Sequence, residues 1–234
     1  MKTIGIIGGM SWESSVSYYQ QINRGVAAAL GGLHSAKLVL YSVDFAEIEA
    51  LQTRGDWQRS GELLAQAAVA LESAGADFLV IATNTMHKVA EQVVQAVEIP
   101  LLHIADATAD ATADALLSSG ISCVGLLGTR FTMEQAFYRE RLEARGIQVL
   151  VPDGAGRAMV DRVIYQELCL GQVKPLSRRD YLEVIEKLAS EGAQGVVLGC
   201  TEIGLLVGDS DTVVPLFDTT EIHAKAAVAK ALES

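Results

Sequence analysis

Cysteine, proline, aromatic residues and positive charge are all scarce in this chain. Its three cysteines, Cys123, Cys169 and Cys200, are odd in number and lack C-x-x-C spacing. A disulfide framework and a structural zinc site are therefore not expected, and a reducing, cytoplasmic setting is the simplest compartment. Lysine and arginine number 18 against 29 aspartates and glutamates, a formal charge of −11. Such a surface repels nucleic acid and anionic membranes, so neither is an expected partner. A locally positive pocket for a small anion remains compatible with it. No apolar run approaches the roughly 20 residues that a membrane helix needs. The opening M-K-T-I-G-I-I-G-G-M has one lysine and no small-residue cleavage site, so a secretory leader is not expected there, nor is a lipid anchor. What is present is ordinary globular composition, half hydrophobic and one-fifth charged over 234 residues.

The hydrophobic pattern alternates strand and helix. Lys2–Ile7, Leu38–Val43, Phe78–Ala82 and Leu101–Ile104 read as short buried strands. A helix is predicted from about Trp12, with Val16, Tyr19, Ile22, Val26 and Leu30 on its apolar side. Another carries Leu63, Leu64, Ala67, Ala68, Leu71 and Ala74 and stops at Gly75. The fold class is α/β with parallel sheets.

The second half repeats the first. K-T-I-G-I-I-G-G from Lys2 matches S-C-V-G-L-L-G-T from Ser122, and Tyr18 and Tyr138 keep the same offset of 120. S-A-G-A-D-F-L-V-I-A-T (Ser73–Thr83) matches S-E-G-A-Q-G-V-V-L-G-C (Ser190–Cys200) at an offset of 117, and E-I-P-L-L resembles V-V-P-L-F at 115. Two lobes related by a pseudo-twofold axis are expected, each a parallel sheet flanked by helices, with the active site between them. The strand and helix that end each half are expected to cross to the opposite lobe. The N-lobe would then be 1–100 plus 212–234 and the C-lobe 101–211. Thr83 and Cys200 are equivalent positions at strand C-termini, where ligands of open α/β sheets bind. A twofold axis would set them facing each other across one cleft.

Three motifs carry polar chemistry. A-T-N-T-M-H (Ala82–His87) offers hydroxyls, an amide and backbone N–H groups at an expected helix start, which suits a carboxylate or phosphate. In G-C-T-E-I-G (Gly199–Gly204), Cys200 sits at an expected strand-to-helix junction, and a helix N-terminus favours a thiolate. In I-G-I-I-G-G-M-S, the glycines permit close backbone approach to a ligand near Met10 and Ser11. That run is neither G-x-G-x-x-G nor a Walker loop, so nucleotide binding has little support. His87 lies one helical turn beyond Thr83, close enough to perturb it. His34, His103 and His223 form no H-x-H or H-E-x-x-H pattern, so they read as structural or surface groups and no metal is expected. Asp44, Asp106 and Asp218 lie near strand ends and read as turn or cap residues. No lysine is marked for a pyridoxal phosphate Schiff base.

Together I-G-I-I-G-G-M with Tyr18-Tyr19, T-N-T-M-H and G-C-T-E-I-G make the whole chain resemble the cofactor-independent aspartate/glutamate racemases, including their broad-specificity members. The resemblance implies two α/β lobes, often in a homodimer, and an amino acid as the small-molecule partner. It implies removal of the α-proton on one face and return of a proton on the other. The catalytic pair falls on Thr83 and Cys200, where the family pattern has two cysteines. Asn84, Thr85, Thr201 and Thr129 would hold the α-carboxylate. Met10, through its backbone, and Gln52 would meet the distal end of the substrate, with Glu202 also counted among the substrate-binding residues. No arginine stands in V-D-F-A-E-I-E-A, where aspartate-specific relatives often place one, so strict acidic-substrate preference is not implied. Two other readings stay open: an isomerase or decarboxylase of a related acid, and a non-catalytic amino-acid sensor that lost one base.

Overall fold

The computed structural model describes residues 1–233, with the side chains of 112 and 115–119 outside the description; residue 234 of the expected N-lobe also lies outside the described residues. The chain divides into two compact units, residues 1–104 with 223–234, and residues 105–222.

The first unit is built on a four-stranded parallel sheet. In chain order it contains β1 (Ile4–Gly8), α1 (Trp12–Leu30), β2 (Leu38–Ser42), α2 (Phe45–Arg54), α3 (Trp57–Ser73), β3 (Phe78–Ile81), a 3-10 turn over Thr85–Val89, α4 (Ala90–Gln95) and β4 (Leu101–Leu102). The spatial order is β2-β1-β3-β4. Side chains of a strand alternate between faces, and here both faces are covered. Ile4 and Ile6 of β1, with Phe78 and Val80 of β3, pack with Tyr18, Ile22 and Val26 of α1. Ile7, Leu79 and Ile81 pack on the other side with Leu64, Ala67 and Leu71 of α3. This double coverage is why these strands read as continuous apolar runs.

The buried side of α1 differs from the expected stripe. Ser14, Ser15, Tyr18, Ile22 and Val26 are buried, whereas Val16, Tyr19 and Leu30 are exposed. The first turn is polar for a local reason. The Ser15 hydroxyl accepts from Gly9 N–H at 2.8 Å and donates to the Ser11 carbonyl at 3.0 Å, so it orders the β1–α1 turn. Gly9 has φ +92°, and a Cβ there would lie 2.3 Å from the Val43 carbonyl oxygen. Only glycine fits that turn.

The second unit repeats the plan. After α5 (Ile104–Ser119) come β5 (Cys123–Gly128), α6 (Arg130–Glu134), α7 (Ala136–Glu143), β6 (Gln148–Leu150), α8 (Gly154–Gln166), a 3-10 turn over Leu168–Leu170, α9 (Pro175–Ser190), β7 (Val196–Gly199), a 3-10 turn over Ile203–Leu205, β8 (Leu216–Asp218) and α10 (Thr219–Leu232). The sheet order is β6-β5-β7-β8, the same permutation as the first sheet. Its core joins Val160, Val163 and Ile164 of α8, Tyr181 and Ile185 of α9, and Val196 and Leu198 of β7.

Among the described residues, only helices change units. β4 pairs with β3 and β8 with β7, so both strands stay with their own halves rather than crossing. The unit boundaries therefore fall at Ile104/Ala105 and Ile222/His223 instead of near 100 and 212. Ile104, expected as the end of a strand, is the first residue of α5. In the first unit α10 packs Ala224, Ala227 and Ala231 on Ile4 and Tyr18. Its small residues bring the helix close to the sheet.

Candidate active site

In the first unit, the residues singled out from sequence gather at the C-terminal end of β1 and β3. Ile7 and Ile81 are register partners, so the segments Gly8–Ser11 and Ala82–Thr85 leave the sheet side by side. Thr83 is partly exposed, while Asn84, Thr85 and Met86 after it are buried. Met10 is buried in the same apolar cluster as Met86. Gln52 of α2 is buried too, and its Nε2 lies 3.0 Å from the Met86 sulfur. Met10, Gln52, Thr83, Asn84 and Thr85 are thus brought to one end of one sheet.

The second unit does the same with Thr129, Cys200, Thr201 and Glu202. Gly128 and Gly199 are register partners at the ends of β5 and β7. A Cβ on Gly128 would lie 2.8 Å from the Gly199 carbonyl, so this close approach needs both positions bare. Thr129 and Cys200 are the residues that follow. Thr129 caps α6, accepting from Thr132 N–H at 3.4 Å. Cys200 is buried at the edge of the second unit's apolar cluster.

Glu202 has a sharper place than substrate binding alone. Its Oε2 accepts from the Cys200 thiol at 3.0 Å and from the Thr201 hydroxyl at 3.0 Å, and it is buried. Burial pushes the Cys200 thiol well above its usual range, and the Glu202 carboxylate pushes it further the same way. Cys169 is raised by the same two causes. This corrects the expectation of a thiol lowered by a helix N-terminus. The segment after Cys200 is only the three-residue 3-10 turn Ile203–Leu205, and that after Thr83 the turn Thr85–Val89. Neither supplies the aligned peptides of an α-helix. Cys200 is therefore a hydrogen-bond donor to Glu202 in a setting that disfavours loss of its proton.

Around these turns lie His87, expected to perturb Thr83, and His103 and His223, which the sequence had assigned to structure or surface. His87 is 2.8 Å from the Thr83 carbonyl oxygen through Nδ1. Its ring stacks edgewise on His103, with centroids 4.4 Å apart. His223 is buried, with Nδ1 2.8 Å from the Tyr18 hydroxyl and Nε2 2.8 Å from the Leu102 carbonyl. Burial pushes its pKa down to about 4. In the second unit, Asp218 Oδ1 accepts from Thr220 N–H at 2.8 Å, the cap role expected of it. The Thr220 hydroxyl donates to the Thr201 carbonyl at 3.3 Å, tying α10 to the Cys200 turn. Sequence reasoning missed the histidine network, although matching offsets were available: Tyr18 aligns with Tyr138, and their partners His223 and Thr108 differ by the C-terminal offset of 115.

The model of the Asp/Glu/hydantoin racemase family matches residues 7–227, so the chain belongs to that family. A Yersinia pestis structure, described as a candidate Asp/Glu racemase, is 57% identical with a TM-score of 0.89, each chain being covered in full. An aspartate racemase homologue from Pyrococcus horikoshii is 36% identical with a TM-score of 0.82, again over the whole of both chains. The broad-specificity amino-acid racemase RacX of Bacillus subtilis is 26% identical over 163 residues, 69% of this chain and 67% of its own. The family supports amino-acid racemase activity. Among the described residues no helix is long and apolar enough to cross a membrane.

Proposed function

We propose that the protein interconverts L- and D-amino acids by moving the α-proton between two of its own side chains, Thr83 and Cys200, without pyridoxal phosphate. The observation that carries this reading is the Cys200–Glu202 pair, in which a thiol at a strand end is held 3.0 Å from a buried carboxyl side chain. A protonated thiol is an acid, able to give its proton to an α-carbanion. When its proton passes to Glu202, the thiolate left behind is a strong base, because the same surroundings that raise a pKa strengthen the conjugate base.

The proton balance is as follows. For one enantiomer, the Cys200 thiolate removes the α-proton and becomes S–H, while the opposite face receives a proton from Thr83 or a water held by it. For the other enantiomer, the Thr83 side removes the proton and Cys200 S–H delivers one. Asn84, Thr85, Thr201 and Thr129 are assigned to the α-carboxylate, whose negative charge grows as the proton leaves. Met10 and Gln52 are assigned to the distal end of the side chain.

Exchange in deuterated water tests the reading. Each enantiomer of every proteinogenic amino acid is incubated with the protein, and both α-deuterium and the opposite enantiomer are followed. Racemisation with α-deuteration of the product is expected for aspartate, glutamate or a wider set. Binding with no exchange for any of them would identify a sensor instead.

A further inference from the structure

We propose that His87 is a positioning residue for Thr83, bridging the Thr83 carbonyl to the first N–H of α5 as the neutral Nδ1–H tautomer. This rests on the reading of Thr83 as one of the two proton groups.

The tautomer follows from the partners. A carbonyl oxygen only accepts, so the ring nitrogen 2.8 Å from Thr83 O carries a hydrogen. A backbone amide only donates, so the other nitrogen, 3.2 Å from Ile104 N, offers its lone pair. A charged imidazolium has no lone pair and would lose the second bond. The Ile104 amide is one of the helix-start donors with no partner inside its own helix. Ile104 is also where the chain leaves the first unit. One ring thus ties the main chain of the Thr83 turn to a fixed point of the backbone.

The fixed point is itself held. His223 receives the Tyr18 hydroxyl and donates to the carbonyl of Leu102, two residues before Ile104. The rings of His103 at 4.4 Å and His223 at 5.9 Å, between centroids, face His87. Among the described residues, the second unit shows no such bridge. At the offset of 117 that aligns Thr83 with Cys200, the residue aligned with His87 is Gly204. A Cβ there would lie 2.3 Å from Asp218 Oδ2, so a carboxylate occupies that space. Loss of the His87 bridge should therefore act on the Thr83 side alone.

The variants separate the two bonds. His87→Asn keeps an N–H near the Nδ1 position, His87→Gln keeps a polar atom near Nε2, and His87→Phe keeps neither. Enantiomer-resolved α-hydrogen exchange is measured for all three beside Thr83→Ala. His87→Phe should slow the Thr83-side exchange by about 100-fold, the scale of a misplaced catalytic group, and leave the Cys200-side exchange within a few-fold. His87→Asn should recover most of the loss, and His87→Gln little. Equal slowing of both faces, or no slowing in His87→Phe, overturns the proposal. Nitrogen-15 spectra of the histidine-labelled wild-type protein decide the bridge independently of activity, with only four histidines to assign. An Nδ1–H resonance for His87 is expected; an Nε2–H or doubly protonated ring at neutral pH overturns the bridge. If Thr83→Ala leaves both faces unchanged, the Thr83/Cys200 pairing fails and with it the positioning role, while an Nδ1–H spectrum would still stand.

Discussion

The Tyr18 hydroxyl lies 2.8 Å from Nδ1 of His223, and 120 positions later the Tyr138 hydroxyl lies 3.3 Å from the Thr108 hydroxyl. In each unit a fully buried tyrosine grips a helix that arrives from the other half of the sequence: α10 in the first, α5 in the second. The duplication is thus preserved in a contact as well as in sheet order. Its two copies have diverged, because an imidazole is a better-defined acceptor than a hydroxyl.

That divergence predicts unequal costs. Tyr18→Phe removes the donor to His223 Nδ1 and leaves a buried acceptor, at about 1–3 kcal/mol. Tyr138→Phe removes a longer hydroxyl–hydroxyl contact and should cost about 1 kcal/mol or less. Urea unfolding of the two variants checks the order. A larger loss for Tyr138→Phe would contradict it.

His223 also gives stability a pH dependence. Its pKa is pushed down to about 4 from an ordinary 6.5. Between these values the unfolded chain binds a proton that the folded chain refuses, so stability falls as pH drops from 6.5 towards 4 and is unaffected by this group above 6.5. The loss is about 3 kcal/mol by linkage. Unfolding midpoints at pH 7.5 and 4.5 should lie closer together in His223→Gln than in the wild type.

The Cys200–Glu202 pair sets the reactivity of the thiol. Since the carboxylate adds to the effect of burial in raising the thiol pKa, Glu202→Gln should bring it down. Alkylation by iodoacetamide should then rise at lower pH in the variant than in the wild type, in which the ascending limb lies above the ordinary thiol range. Racemisation should fall even so, because the acceptor for the S–H proton is gone. An unchanged alkylation profile would mean that Glu202 does not govern the sulfur.

Much of this was legible in sequence because it depends on period and order. Apolar runs marked the strands at Ile4 and Phe78, and the repeated motifs matched them to the segments that form β5 and β7 and marked Thr83 and Cys200 as equivalents. What escaped depends on three-dimensional proximity. Ser14 and Ser15 stand outside the expected apolar stripe, yet both are buried, and Ser15 holds the Gly9 turn. Val16 and Tyr19 looked like core, yet they face outward. Helix starts were expected after Thr83 and Cys200, but 3-10 turns stand there, since pattern alone cannot separate one tight turn from a helix. The partners of His87 and His223 lie far along the chain or in the main chain, where no spacing rule points.

Thr83 bears the most exposed prediction. Removing an α-proton needs a base on the face where the hydrogen points. Cys200 is that base for one enantiomer. For the other it is the Thr83 hydroxyl or a water held by it, which is intrinsically weaker than a thiolate. Turnover of the two enantiomers should therefore differ. Their equilibrium constant is one, so kcat/KM must match and the slower direction must have the lower KM; each factor of ten in kcat is about 1.4 kcal/mol of barrier. Thr83→Cys provides a second thiol and should narrow the disparity in kcat. Thr83→Ala should nearly stop racemisation while Cys200-dependent exchange of one enantiomer's α-hydrogen persists. Equal exchange and turnover of both enantiomers in the alanine variant would show that the second proton group lies elsewhere.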